Sequence, residues 1–190
     1  NDSYSHFNSR ECEDQIVDVI PFIHLGSNVG YPNIIGNPSG DVVYYLYLEE
    51  FAMINISLCS PFTNYDVFLR VFDGCPEDEG VTELWYNDDG PTCDLDLAYY
   101  EPSLLENLIL GPGDYYIVVE GYDDEEGDYG LSIEYETIED CQGNIYEGSA
   151  LSYLNNGICN DGSDYEPDFN CCEWDYDYSD CYPTECEATN

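Results

Sequence analysis

Seven side chains with oxygen ligands lie close together near the C-terminus. They are Asn160, Asp161, Asp164, Asp168, Asp175, Asp177 and Asp180. Calcium takes about six to eight oxygens from carboxylates, amides and carbonyls, and irregular Asp-rich loops meet that geometry more easily than the octahedron that magnesium requires. Acids are abundant in the whole chain and can be surface groups without a metal, but no Lys or Arg accompanies these. We interpret the cluster as a calcium site.

A second oxygen-rich group follows two strand-like runs. Its members are Asn87, Asp88 and Asp89, together with Asp123 and Asp124. These side chains could form a second cation site, although Asn-Asp-Asp-Gly is also a typical turn that needs no metal.

Catalytic residues do not emerge from the sequence. A covalent mechanism needs a nucleophile beside a base. Ser39 lacks the leading glycine of a Gly-x-Ser-x-Gly elbow, and both histidines, His6 and His24, lie near the N-terminus. Carboxylate pairs suited to glycoside hydrolysis arise by chance among 42 Asp and Glu residues. We therefore expect no enzymatic activity.

The ten cysteines predict an exported protein with five disulfides. They are Cys12, Cys59, Cys75, Cys93, Cys141, Cys159, Cys171, Cys172, Cys181 and Cys186. Short CxxC pairs are absent and the histidines are distant, so zinc is disfavoured. Disulfides form in oxidising compartments. We predict that Cys12 pairs with Cys59 and Cys75 with Cys93, which keeps the bridges of each domain internal.

Charge excludes several classes of partner. Against 42 acids there are only Arg10 and Arg70, giving a formal net charge of -40. Nucleic-acid binding depends on Lys and Arg, so this composition excludes a nucleic-acid-binding protein. It also argues against binding to anionic lipid, which attracts basic residues. With 43% apolar and 15% aromatic residues the chain should fold. No apolar run is long enough to span a membrane, and the polar start is typical of a mature chain without its leader.

The elements that must position these groups are short β-strands. One face of the first predicted strand carries Val42, Tyr44, Leu46 and Leu48, and the other carries Val43, Tyr45, Tyr47 and Glu49. This two-residue period is typical of a strand with one buried face and one aromatic, polar face. Arg70, within an apolar run, is expected to pair with an acid of a neighbouring strand. Further runs bounded by turn residues predict an all-β antiparallel sandwich or jelly roll, with residues 115–119 as a central strand. These further runs are residues 53–58, 65–72, 83–86, 104–110, 114–121 and 129–135.

Cysteine density divides the chain. Four cysteines lie in residues 1–138 and six in the last 52. We predict an N-terminal arm at 1–11, a β-sandwich at 12–138 and a Cys/Asp-rich C-terminal module at 139–190. The module has little periodicity, so disulfides or a metal must hold it.

The sandwich resembles the bacterial pre-peptidase C-terminal domain. The similarity begins at Asp41-Val42-Val43-Tyr44, closes at Gly127-Asp128-Tyr129-Gly130-Leu131 and covers about a hundred residues. Between these ends it is carried by Ile56-Ser57-Leu58-Cys59, Tyr65-Asp66-Val67-Phe68-Leu69-Arg70-Val71-Phe72, Asn87-Asp88-Asp89 and Leu110-Gly111-Pro112-Gly113-Asp114-Tyr115-Tyr116-Ile117-Val118-Val119-Glu120-Gly121. This resemblance implies a β-sandwich or jelly roll that accompanies secreted hydrolases and surface proteins, without its own catalytic centre.

The C-terminal module is similar to the Notch-type disulfide repeat. The resemblance rests on Asn155-Asn156-Gly157-Ile158-Cys159-Asn160-Asp161, Phe169-Asn170-Cys171-Cys172-Glu173-Trp174-Asp175 and Asp180-Cys181. It implies one organising calcium ion and a Cys159–Cys181 bridge. Here the family's two separated cysteines are adjacent, and Tyr176-Asp177-Tyr178-Ser179 replaces a glycine-containing step.

These observations favour a secreted structural protein, stabilised by disulfides and calcium, that assembles with copies of itself into an extracellular filament or surface appendage. The polar arm, followed by apolar residues between Ile16 and Ile23, could add as a strand to a neighbour's sheet edge. The alternative is a carbohydrate- or surface-binding accessory module of a secreted hydrolase, for which some of the 20 tyrosines could stack on sugars. A third interpretation treats the charge as adaptation to salt or acid alone. Two glycosylation sequons occur, at Asn1 and Asn55.

Overall fold

A computed structural model describes residues 12–90, 102–163, 166–174, 177 and 180–181. Nearly all of their regular structure is β-strand, which confirms the predicted all-β class. No helix within these ranges is long and apolar enough to cross a membrane. The predicted arm at 1–11 lies outside the described residues.

Eleven strands are present in the described part of the chain. They are β1 (Gln15–Val17), β2 (Phe22–Ser27), β3 (Val42–Leu48), β4 (Ala52–Ser57), β5 (Val67–Phe72), β6 (Glu83–Asn87), β7 (Leu104–Leu110), β8 (Gly113–Gly121), β9 (Asp128–Tyr135), β10 (Thr137–Glu139) and β11 (Ile145–Glu147). Short 3-10 helices follow at Gly148–Tyr153 and Cys172–Trp174.

The strands form a sandwich of two main sheets. One has the order β1-β3-β8-β5-β6 and the other β2-β9-β4-β7, while β10 and β11 make a separate antiparallel pair. β5 lies antiparallel to both β8 and β6, whereas β1 lies parallel to β3. β1 and β2 are end strands of the chain's own sheets, and the addition of this segment to a neighbour's sheet stays a prediction.

β3 and β8 follow the predicted pattern with one exception. Tyr44 and Leu46 are buried and Tyr47 is exposed, while Ile117 and Val119 in the central strand β8 are fully buried. Val43, on the face expected to be open, is also buried. The reason is that Ile34 and Ile35 pack against the cluster of Val43, Phe72 and Val118 and cover that face.

Arg70 forms the predicted ion pair. Its Nε donates to Glu120 Oε1 on β8 at 2.5 Å, and its Nη1 donates to Glu83 Oε2 on β6 at 2.6 Å. The ion pair therefore joins the three neighbouring strands β5, β8 and β6.

The disulfide prediction for the sandwich is wrong. Cys12, just before β1, pairs with Cys75, just after β5, with 6.0 Å between the Cα atoms. Sequence spacing does not reveal this pair because it depends on β1 joining the sheet that contains β5. Cys59 is also disulfide-bonded, and Cys93 lies outside the described residues.

The chain divides into two compact units. Unit 1 comprises Asn1–Tyr47, Ile56–Leu105 and Gly113–Ser132, and unit 2 comprises Leu48–Asn55, Glu106–Pro112 and Ile133–Asn190. The C-terminal module lies within unit 2. The division into 12–138 and 139–190 stays a prediction.

Candidate metal centres

Two disulfides frame the C-terminal module. Cys159 pairs with Cys181, with 4.6 Å between the Cα atoms, which confirms that predicted bridge. Cys141 pairs with Cys171, with a Cα separation of 5.9 Å. Cys172 is also disulfide-bonded, while Cys186 lies outside the described residues. Both bridges bring the ends of Asp-rich loops together.

The module also has an apolar core that its sequence does not suggest. Ile138, Leu151, Leu154 and Phe169 form a buried cluster. The Trp174 ring lies 5.1 Å from that of Phe169, between centroids, and its Nε1 donates to the Glu139 carbonyl at 3.1 Å. Irregular spacing of the apolar residues hides this core from a search for periodicity.

Asp140 ties the start of the module together. Its Oδ1 accepts from the amides of Gln142 and Asn144, at 2.9 and 2.8 Å. Its Oδ2 accepts from Asn144 Nδ2 at 3.0 Å and from the Asp168 amide at 3.2 Å. Burial alone would raise the pKa of Asp140, but these hydrogen bonds prevail and lower it.

Asn160 and Asp177 carry buried oxygens with unusual surroundings. They are only 1% and 0% exposed. Asp177 Oδ2 accepts from the Asn160 amide at 2.7 Å, and Asn160 Nδ2 donates to Glu166 Oε2 at 2.9 Å. Among the residues that the structure describes, neither Asn160 Oδ1 nor Asp177 Oδ1 has a hydrogen-bond partner. Two buried acceptors left without donors are what a hard cation would satisfy.

Burial raises the pKa of Asp177, and the negative charge of Asp180 raises it further. Hydrogen bonds from the backbone amides of Asn160 and Asn155 act in the opposite direction. Asp177 also has a positive φ of 58°, a conformation that is uncommon for residues other than glycine. Asp177 therefore combines an energetically unfavourable backbone conformation with an energetically unfavourable buried carboxylate.

The remaining predicted ligands divide into three groups. Asp180 lies near the buried pair, and its Oδ2 accepts from the Gly157 amide at 2.7 Å. Asp161 and Asp168 have carboxylates that accept from nearby backbone amides, of Ser163 and Asn170 respectively. Asp164 and Asp175 lie outside the described residues. Asn160, Asp177 and Asp180 thus become the best-placed candidates.

The sandwich has a second acidic group, with a composition different from the prediction. One carboxylate oxygen each from Asp66, Asp88 and Asp89 lie within 4.8 Å of one another. Asp66 precedes β5 and was not selected from the sequence, while Asp123 and Asp124 are exposed after β8. The Asn87 side chain joins the loop to β7, since its Oδ1 accepts from the Leu104 amide at 2.9 Å.

Burial raises the pKa of Asp88, and the neighbouring charge of Asp89 adds to the effect. Arg70 partly opposes it. Within the described ranges, Asp88 Oδ1 has no hydrogen-bond partner. Three carboxylates with one unsatisfied oxygen have suitable chemistry for a calcium ion.

The sequon at Asn55 has its side-chain amide in use. Asn55 Nδ2 donates to Glu136 Oε2 at 2.5 Å, and its Oδ1 accepts from the Asn107 amide at 2.8 Å. These bonds give the side chain a structural role within unit 2. Asn1 lies outside the described residues.

No family model matches the chain, and no curated protein matches it. Among solved structures, it is similar to the pre-peptidase C-terminal domain of a collagenase from Bacillus anthracis, at 20% identity over 67% of this chain and 100% of that one, with a TM-score of 0.44. It is also similar to PliG, a periplasmic lysozyme inhibitor from Aeromonas hydrophila, at 13% identity over 60% and 84% of the two chains, TM-score 0.41. A third is a mitogen from Yersinia pseudotuberculosis, at 15% identity over 67% and 96%, TM-score 0.37.

Proposed function

We propose that this chain is an extracellular, non-enzymatic structural protein whose C-terminal module is organised by calcium and whose working form is an assembly of copies. The observation that carries the calcium part is the pair of buried oxygens, Asn160 Oδ1 and Asp177 Oδ1, which have no hydrogen-bond partner in the described part of the chain. Leaving such groups unsatisfied costs about 1–3 kcal/mol each, and more for a charge.

Calcium suits this pair better than other cations do. The available ligands are an amide oxygen and carboxylates, with Asp180 close by, and no thiol or imidazole is among them. Hard oxygen ligands in irregular loops favour calcium. The disulfides at Cys141 and Cys159 support export, because such bonds persist in oxidising compartments, where calcium is also abundant.

The assembly part is supported by apolar side chains exposed near the N-terminal end of the described chain. Ile16, Val19, Ile23 and Leu25 are between 55% and 72% exposed. Exposed apolar patches on a soluble protein commonly mark a contact with another macromolecule. A structural subunit needs such contacts.

A second candidate function is an accessory module that binds carbohydrate. It is favoured by aromatic rings on the five-stranded sheet, where Tyr45 and Tyr116 lie 5.4 Å apart between centroids and Tyr45 donates to Asp114 Oδ1 at 2.5 Å. Tyr47, on the same strand as Tyr45, is 53% exposed. Rings beside a carboxylate can stack on a sugar and accept from its hydroxyls. A monomer that is retained on an insoluble polysaccharide would favour this function.

Calorimetry with and without a chelator tests the calcium site. We expect calcium to increase the free energy of unfolding of the C-terminal module by RT ln(1 + [Ca]/Kd), which is about 3 kcal/mol when calcium is about a hundredfold above Kd. The unfolding temperature of the module should therefore rise. The Asp177→Asn variant should lose most of this stabilisation.

Asp161→Asn is the matched control. It removes the same charge from the same module, but Asp161 is exposed and its carboxylate accepts from the Ser163 amide. It should keep the calcium effect. An unchanged transition on chelation of the wild-type protein, or equal losses in both variants, would contradict the proposed site.

A further inference from the structure

Residues 19–40 contain no Asp or Glu, although the chain has 42 in 190 residues. No other stretch of this length in the sequence lacks them. The acid-free run contains all of β2, Phe22–Ser27. In a protein with a net charge of -40, this is the longest segment that brings no negative charge of its own to a contact with another strongly acidic molecule.

β2 is an end strand with an apolar outer side. It is the first strand in the order β2-β9-β4-β7. Ile23 and Leu25 are 72% and 55% exposed. His24 faces the opposite way, since its Nδ1 is 2.7 Å from the hydroxyl of the buried Tyr44. This contact fixes which side chains point outward.

The other end strands among the described residues carry features that discourage pairing. β7 contains Asn107 at a φ of 58° and the exposed Glu106. β1 has only three residues and is followed by Asp18. β6 begins with Glu83, which pairs with Arg70. Charges, irregular backbone and short length are the usual protections of a sheet edge, and β2 has none of them.

The charge balance identifies the occupant. A basic partner would be attracted most strongly by the acidic surfaces, and an acid-free strand would add no electrostatic attraction. A second copy of this chain is repelled by those same surfaces, so an uncharged apolar strand is where two copies can meet. A twofold axis at His24 would place Ile23 of one copy opposite Leu25 of the other.

We propose that β2 pairs antiparallel with β2 of a second copy, which joins two four-stranded sheets into one of eight strands. This inference rests on the assembly part of the proposed function and specifies the surface that it uses. The pairing would place four large apolar side chains next to one another across the new strand pair and add a ladder of backbone hydrogen bonds.

Sedimentation velocity over a range of protein concentrations tests the pairing, with calcium and enough salt to screen the charge. Replacing both Ile23 and Leu25 by Asp should raise the dissociation constant at least about tenfold. The control replaces Ile109 and Ile145 by Asp, since both are exposed apolar residues elsewhere, at 49% and 62%, and the charge change is the same. It should associate like the wild-type protein. Circular dichroism confirms that each variant is folded.

Hydrogen exchange gives a second measurement, because the amides of β2 should become protected as the protein concentration rises. If the wild-type protein associates and the β2 variant does so equally, the pairing is overturned while the assembly function stands. If the wild-type protein stays monomeric in all conditions, the assembly function fails as well. If it associates only after removal of residues 1–11, the chain's own arm is the occupant of β2, and the proposed pairing is again overturned.

Discussion

Asp41 and Glu120 are buried acids that depend on a single cation. They are 1% and 0% exposed, and both lie near Arg70, which also pairs with Glu83. Asp41 Oδ2 accepts from the amides of Ile34 and Ile35, at 2.6 and 2.9 Å. The loop before β3 is thereby fastened over the five-stranded sheet. A side chain at Gly36, where φ is 64°, would lie 2.6 Å from the Glu120 carboxylate oxygens, which explains the glycine.

Burial raises the pKa of both Asp41 and Glu120, although Arg70 and backbone amides oppose it. A raised pKa in the folded state gives stability that is complete below the unfolded pKa, about 4, and is lost as pH rises through the folded value. Asp41→Asn cannot ionise, so its stability relative to wild type should increase between about pH 4 and pH 7. Urea unfolding at several pH values measures this. A pH-independent difference would contradict the interpretation.

Asp140 predicts the opposite dependence. Its pKa is lowered, so it contributes stability above the unfolded pKa, about 3.9, that is lost as pH falls through the folded value. Asp140→Asn cannot accept all four hydrogen bonds and should destabilise unit 2 by about 1–3 kcal/mol at neutral pH. Thermal unfolding at about pH 7 and pH 3 should show the difference shrinking in acid. Glu147→Gln, at an exposed residue, serves as the control.

At the scale of elements, the sequence predicts where strands form better than it predicts which strands and cysteines pair. The alternation in β3 and the continuous apolar run in β8 are local properties, and both strands form as expected. The parallel pairing of β1 with β3 and the bond from Cys12 to Cys75 join segments far apart in the chain. No local pattern encodes them.

The candidate metal centres show the same limit. The sequence predicts a possible site at Asn87, Asp88 and Asp89 because they follow a strand-like run, as Asp123 and Asp124 do. Asp66 joins Asp88 and Asp89 only through folding. Similarly, seven candidate ligands could be identified in the C-terminal module, yet burial distinguishes Asn160 and Asp177 from the exposed Asp161. Burial depends on which loops the disulfides bring together.

The Cys12–Cys75 bridge leads to a prediction at this scale. It spans a sequence separation of 63 residues, so the chain-entropy estimate of its contribution is about 4 kcal/mol. Replacing both cysteines by Ser should lower the stability of unit 1 by roughly that amount, as measured by urea unfolding without reductant. A loss below about 1 kcal/mol would indicate that β1 is held by its pairing with β3 alone.

At the scale of the whole molecule, charge governs what can associate. Copies with a net charge of -40 repel strongly at low ionic strength, and the Debye length shortens to about 8 Å near physiological salt. We therefore expect association to strengthen as the salt concentration rises to physiological strength. A contact between opposite charges would weaken with salt instead. Sedimentation at increasing sodium chloride, with calcium held constant, measures the direction. Weaker association at higher salt would point to an electrostatic contact instead.

The most direct test of a calcium-organised structural subunit is light scattering of the wild-type chain over increasing protein concentration, in calcium and near-physiological salt. We expect a mass that grows beyond the 21.6 kDa monomer and returns towards it when a chelator is added in low salt. A constant monomer mass at every protein and calcium concentration would contradict it.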